Sequence, residues 1–129
     1  MPGPPVNRVQ LTARVTREPE LRYLPAGVPL ARLALAFDRT VKGADGQPER
    51  VTNYISAVTT GPDALQAQER LRRGGEIYLE GQLQTHHWTG PDGVTRSTIE
   101  VRVEHLEILA DGGAEEPDLP APGAADGGA

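Results

Sequence analysis

The sequence predicts an all-β domain: a five-stranded Greek-key barrel with one short helix between its third and fourth strands, followed by an acidic tail without fixed structure. Three observations predict it. Apolar and polar residues alternate with a period of two through most of the chain, as in strands with one wet face. A single stretch carries the spacing and end signals of a helix. Gly (15) and Pro (12) make up about a fifth of the 129 residues and gather in loops and at the ends.

In the first strand Val9, Leu11, Ala13 and Val15 point one way, and Arg8, Gln10, Thr12, Arg14 and Thr16 the other. After a Leu24-Pro-Ala-Gly-Val28 turn, the second strand sets Ala31, Leu33, Leu35 and Phe37 against Arg32, Ala34, Ala36 and Asp38. A polar loop with Gly43 and Asp45-Gly46 leads to a third strand near Val51–Thr59. The helix is expected from about Pro62 to Arg72. Thr60 and Asp63 form a weak capping box, Pro62 lies in the first turn, and Gly74 is placed to stop it. Ala64, Ala67 and Leu71, with Leu65 beside them, supply a narrow apolar stripe.

The fourth strand, about Glu76–Trp88, has Ile77, Leu79, Leu83 and Thr85 on one face, with Gly81 able to break that parity. Gly90-Pro-Asp-Gly93 is a turn. In the fifth strand Ile99, Val101 and Val103 point inward, whereas Leu106 and Ile108 take the opposite parity, so a bulge is expected near Glu104. Three strands, a helix and two strands is the element order of an OB-fold barrel. The expected organisation is a flexible N-terminus over residues 1–5, the OB-fold domain over 6–110 and a disordered Gly/Pro/Ala/acidic tail over 111–129.

Charge is unevenly placed. The formal net charge is −5, and residues 112–129 hold four of those negative charges in Glu115, Glu116, Asp118 and Asp126, with no Lys or Arg. The first 111 residues have 13 basic and 14 acidic side chains. A uniformly basic protein is excluded, but a nucleic-acid binder whose charges segregate by face is not. With no Cys there is no disulfide or thiolate metal site. No apolar run approaches the roughly 20 residues needed to span a bilayer, and Met1-Pro-Gly-Pro-Pro5 lacks the features of a signal peptide. A cytoplasmic, nucleoid-associated location is the default expectation.

The fourth strand is the most informative for function. Trp88 shares the polar face with Tyr78, Glu80, Gln82, Gln84 and His86. Two readings fit a Trp on a wet face: a barrel-end cap or subunit contact, or a platform on which nucleobases stack. Tyr78 fits a subunit interface better than DNA. Tyr54, alternating with Thr52 and Ser56, is either a half-buried barrel residue or a second platform. Arg70, Arg72 and Arg73 gather at the helix C-terminus, where they complement the helix dipole or line a phosphate track.

Catalysis finds little support. His86 and His87 are adjacent on a strand and face opposite ways, and no acidic cluster completes a metal site with His105. Arg73-Gly-Gly lacks the spacing of a phosphate loop, and no Ser sits in a nucleophile motif. No enzyme activity, cofactor or metal is expected.

Several segments also resemble the bacterial single-stranded-DNA-binding protein family. These are Val6-Asn-Arg-Val-Gln-Leu11, Arg17-Glu-Pro-Glu-Leu-Arg-Tyr23, Leu71-Arg-Arg-Gly74, Tyr78-Leu-Glu-Gly-Gln-Leu83 and Thr85-His-His-Trp88 followed by Asp92-Gly93, in order through about residues 6–109. The resemblance implies a homotetramer (a dimer being the alternative), DNA wrapped over the barrels, and aromatics stacking on bases. Trp88 matches one platform position and Tyr54 another, whereas two further aromatic positions are Val41 and Thr60 here. Basic residues that the family often places beside the Trp are Gln84, His86 and His87.

The family's hydrophobic C-terminal tip, gripped by replication and repair proteins, has no counterpart in Ala124-Ala-Asp-Gly-Gly-Ala129. The expected function is sequence-independent single-stranded-DNA binding in replication, recombination or repair. Arg8, Arg14, Arg32, Arg39, Lys42, Arg72, Arg73 and Arg96 would meet phosphates, Tyr54 and Trp88 would stack, and His86 would lie beside Trp88. The rival is a replisome or primosome adaptor whose sheet binds protein, with weak DNA affinity.

Overall fold

A computed structural model of the chain describes residues 3–113. The tail expected to be disordered lies, from residue 114 onward, outside the described residues. In chain order the elements are β1 (Val9–Val15), β2 (Glu20–Tyr23), β3 (Pro29–Lys42), β4 (Pro48–Thr60), α1 (Pro62–Arg70), β5 (Glu76–Thr89) and β6 (Thr95–Ala110). The barrel closes through β1–β5–β6–β4–β3 and back to β1, the last step by Arg14↔Ala36 and Val15↔Leu35. Every pairing is antiparallel except β4–β6, which run parallel over Ser56–Val58 and Glu100–Arg102.

The expected five-stranded barrel is therefore present, with β2 added as a short ribbon along β3. Glu20 faces Arg32 and Tyr23 faces Pro29 in that ribbon. It has four residues and no apolar alternation, so periodicity gave it no signal.

The core follows from parity. Ala13, Val15, Leu33, Leu35, Ala57, Ile77, Leu79 and Val101 point into the barrel, and Ala64, Ala67 and Leu71 from the helix close one end. Burying such side chains contributes roughly 1.5–3 kcal/mol each for Val, Leu and Ile. β6 carries the expected bulge: Glu80 faces His105 and Gly81 faces Val103, leaving Glu104 unopposed. Val103 and Leu106 are buried on either side of it. Gly81 is needed there, because a Cβ would lie 2.1 Å from the Arg102 carbonyl oxygen.

The helix starts at Pro62 as expected but departs from expectation in its cap, its end and its exposed side. It ends at Arg70, two residues earlier than expected. No capping box forms, because β4 continues through Thr60, paired with Leu30. The chain turns instead at Gly61 (φ 74°), where no side chain caps the helix, and the Gly61 carbonyl accepts from Ala64 N–H at 3.0 Å. That positive φ suits glycine. Leu65, grouped with the apolar stripe by sequence, is exposed.

Beyond the barrel, β5 and β6 continue as a two-stranded arm. Thr85↔Ile99, Trp88↔Arg96 and Thr89↔Thr95 pair only with each other. Leu83, on the core parity of β5, is exposed because it stands where this arm leaves the core, and Ile99, expected to point inward from β6, is exposed too because it lies on the arm.

Candidate nucleic-acid interface

The outer faces of β3, β4, β6 and β5 make one continuous surface whose rows follow from register. One row runs Ala34, Ser56, Glu100, Gln84 and the next Arg32, Val58, Arg102, Gln82. Toward the arm the same face continues through Thr98 and His86 to Arg96 and Trp88. Tyr54 lies on β4 beside this strip. It lines a shallow groove of about 370 Å³ with Arg17, Ala34, Ile55, Ser56, Thr98 and Ile99, which opens where β4 and β6 lie apart on the N-terminal side of their short parallel pairing.

Tyr54, His86, Trp88 and Arg96 are thus brought onto one strip. Trp88 is 43% exposed. The Arg96 guanidinium lies over its ring, 5.5 Å from the centroid. Arg17 joins the strip from the β1–β2 connection; it opens one of the family-like segments but was not among the residues expected to meet phosphate. The Thr16 amide bonds to the Ala34 carbonyl at 2.9 Å and fixes that connection over the groove.

The other basic residues divide by their neighbours. Arg14 is held to Asp38 at 3.1 Å. Asp38 also accepts from the Thr52 hydroxyl at 2.9 Å and lies 3.8 Å from Arg50. The hydrogen bond from Arg14 keeps the Asp38 carboxyl below its usual range, aided by Thr52 and against partial burial. Arg50, missed by sequence reasoning, therefore joins Arg14 close to Tyr54, since Ala36 faces both Arg14 and Tyr54.

Arg32 points at Glu100, 2.6 Å away. Glu100 is 2% exposed and also accepts from Gln84 at 2.8 Å. Burial pushes its carboxyl up, but the bonds from Arg32 and Gln84 and the Arg32 charge outweigh that and leave it lowered.

Lys42 is exposed at the end of β3, on the Asp38 parity, while Arg39 takes the opposite parity. Arg72 and Arg73 lie far from the strip. Arg72 is 3.9 Å from Glu18, and its amide bonds to the Asp111 carbonyl. The start of β5 beside them is roughly 40 Å of strand from Trp88 at about 3.3 Å per residue.

Arg8 precedes β1 near a separate polar cluster. There the Tyr78 hydroxyl meets Glu80 at 2.5 Å, Gln10 reaches Tyr78 at 3.2 Å, and His105 meets Glu107 at 2.8 Å. The Tyr78 bond is the main cause of a lowered Glu80 pKa, and Arg8 is a minor one. A second groove, of about 580 Å³, runs over Leu24, Leu30, Val58, Thr60, Gln82, Gln84 and Arg102.

Among the described residues no His/Asp/Glu group is arranged to hold a metal ion, and no helix is long and apolar enough to cross a membrane.

Comparison with known proteins agrees with this geometry. The chain matches the "Single-strand binding protein family" over residues 6–109. It is 36% identical to a single-stranded DNA-binding protein of Wolinella succinogenes over 85% of its length, and 35% identical to one of Helicobacter hepaticus over 80%. It spans 68% and 61% of those relatives' own lengths.

Among solved structures, a deletion mutant of the single-stranded DNA binding protein from Thermus aquaticus superposes with a TM-score of 0.70 at 31% identity. That match covers 81% of this chain and 50% of the other. A Plasmodium falciparum SSB complex with ssDNA gives a TM-score of 0.72 at 22% identity, covering 84% and 99%, which speaks to the fold alone. Family match, sequence relatives and barrel all agree: this chain belongs to the single-strand binding protein family.

Proposed function

We propose that the chain binds single-stranded DNA without sequence preference, laying the strand along the strip from Trp88 past His86 and Thr98 to Tyr54. The observation that carries this reading is Trp88, a large aromatic held open on the polar face of a projecting arm. A stacked base is worth roughly 1–3 kcal/mol and needs no particular base identity. Arg17 at the groove and Lys42 at the end of β3 supply cations for phosphates. Arg14 and Arg50 add a partly neutralised pair around Asp38. With Val41 and Thr60 unable to stack, affinity per subunit rests on two platforms. Family membership supports a homo-oligomer, with a tetramer the first expectation, and a binding role without catalysis in the cytoplasm.

The test is a titration with short oligo-dT at two salt concentrations, followed through the emission of the single Trp. Tight, salt-sensitive binding with quenching is expected, and Trp88→Ala should weaken it by about tenfold or more. Negligible binding at low salt would favour the protein-adaptor reading, and light scattering of the same sample reads the oligomer.

A further inference from the structure

Arg96 was grouped by sequence with the residues that meet phosphate, but its surroundings give it another role. Its two terminal nitrogens reach the Asp92 carboxylate at 2.7 and 3.2 Å. That bond keeps the Asp92 carboxyl below its usual range and raises the arginine. Asp92 is itself fixed in the turn, accepting from the Val94 amide at 3.0 Å. The guanidinium so anchored lies over Trp88 at 5.5 Å, within reach of the attraction between a cation and an aromatic face.

Gly90 leaves room for this arrangement. A Cβ at that position would stand 2.5 Å from Arg96 Nη1 and 3.6 Å from Trp88 Cζ3. The Asp92–Arg96 pair is about half exposed, and such pairs contribute little to stability. Its consequence is geometric: one face of the indole is covered.

We propose that Gly90, Asp92 and Arg96 make Trp88 a one-sided platform, with Arg96 a positioning residue that steadies the ring and not a phosphate ligand. The proposal deepens the reading of Trp88 as a base platform and rests on it. One base stacks on the open face, while Arg96 remains neutralised by Asp92 and releases no counterion when DNA binds.

The test uses the full chain with oligo-dT across a salt series, together with acrylamide quenching of Trp88 in the free protein. Arg96→Ala combined with Asp92→Asn, which leaves no bare carboxylate, should weaken binding by about tenfold, within the range for one stacked base, and leave the slope of log K against log[salt] unchanged. Acrylamide quenching should rise by about twofold as the second ring face opens. Gly90→Ala keeps every charge, and its backbone angle permits alanine. It should reproduce both effects by pushing the guanidinium off the ring.

A slope shallower by about 0.7 in the Arg96→Ala, Asp92→Asn double variant is the loss of one phosphate contact on a single strand and would overturn the proposal, as would unchanged affinity in both this variant and Gly90→Ala. Trp88→Ala separates the two failures. If it binds like the unsubstituted protein, the platform reading falls and takes this proposal with it. If it binds weakly while the Arg96→Ala, Asp92→Asn double variant shows the shallower slope, only the proposal falls.

Discussion

Replacing Arg32 by methionine separates scaffold from DNA contact on the binding face. Arg32 is the only cation bonded to Glu100 among the described residues, at 2.6 Å, and the Glu100 side chain is 3% exposed against 31% for Arg32. Removing one partner of a buried pair costs about 3–5 kcal/mol because the remaining charge is stranded. Gln84 still donates one bond to Glu100, and Arg32 is itself partly exposed, so the cost falls at or just below that range: about 2–3 kcal/mol for Arg32→Met. At about 4–8 °C per kcal/mol for a domain of this size, the melting temperature should fall by roughly 10–20 °C.

The loss must depend on pH. In the unsubstituted protein the Glu100 carboxyl is lowered on folding, so its contribution is present above the unfolded value of about 4.3 and disappears as pH falls through the folded one. Without Arg32, burial dominates and raises the folded value. Below pH ~4 the carboxyl is protonated in both states of the variant, and its penalty vanishes. Urea melts at fixed protein concentration should therefore differ less near pH 4 than at pH 7, and converge only as pH falls through the folded Glu100 value of the unsubstituted protein. Arg32→Met combined with Glu100→Gln should recover most of the loss at pH 7. A stability change below about 0.5 kcal/mol, or one as large at pH 4 as at pH 7, would refute the reasoning and return Arg32 to the set of free phosphate ligands.

Three further outcomes are expected. Gly81→Ala places a Cβ 2.1 Å from the Arg102 carbonyl oxygen. Backbone cannot yield as a flexible side chain can, so thermal melts should show a loss of about 3 kcal/mol or more. Asp38→Asn removes the carboxylate shared by Arg14, Arg50 and Thr52; the salt slope of oligo-dT binding should steepen by up to about 0.7 for each arginine freed to meet phosphate. Thr60→Phe puts an aromatic at the exposed end of β4, in the second groove, and should tighten oligo-dT binding by about 1–3 kcal/mol, read by equilibrium titration.

What the sequence made legible was whatever parity or a local signal encodes. The core faces of β1 and β3 follow alternation, as does that of β6 from Val101 onward, and the bulge at Glu104 was readable because Val103 and Leu106 cannot both point inward without an extra residue between them. Trp88 stood out as an aromatic of the wrong parity. Hidden were the features that depend on which strand lies beside which. Arg32 and Glu100 are 68 positions apart and Arg14 and Asp38 are 24 apart, so each arginine read as an independent surface cation. Arg17 belongs to the groove only because β4 and β6 diverge next to the β1–β2 connection. The capping box failed for a related reason. Pairing of Thr60 with Leu30 held that residue in the strand, and tertiary hydrogen bonding overrode a local preference.

These pairings change how the face should recognise DNA. The first 111 residues carry nearly equal numbers of acids and bases, and on this sheet the acids are not dispersed. Asp38, Glu100 and Asp92 each hold an arginine that alignment by type would have assigned to phosphate. Every such pair removes a counterion-releasing contact but fixes a side chain next to an aromatic or across a strand junction. Arg14 is anchored one strand away from Tyr54, with Ala36 between them, Arg32 reaches from β3 to β6, and Arg96 lies on Trp88. A surface built this way exchanges electrostatic affinity for shape. Its binding should depend more on the two proposed platforms, Tyr54 and Trp88, than on its arginines, and so survive rising salt better than a surface whose cations are free.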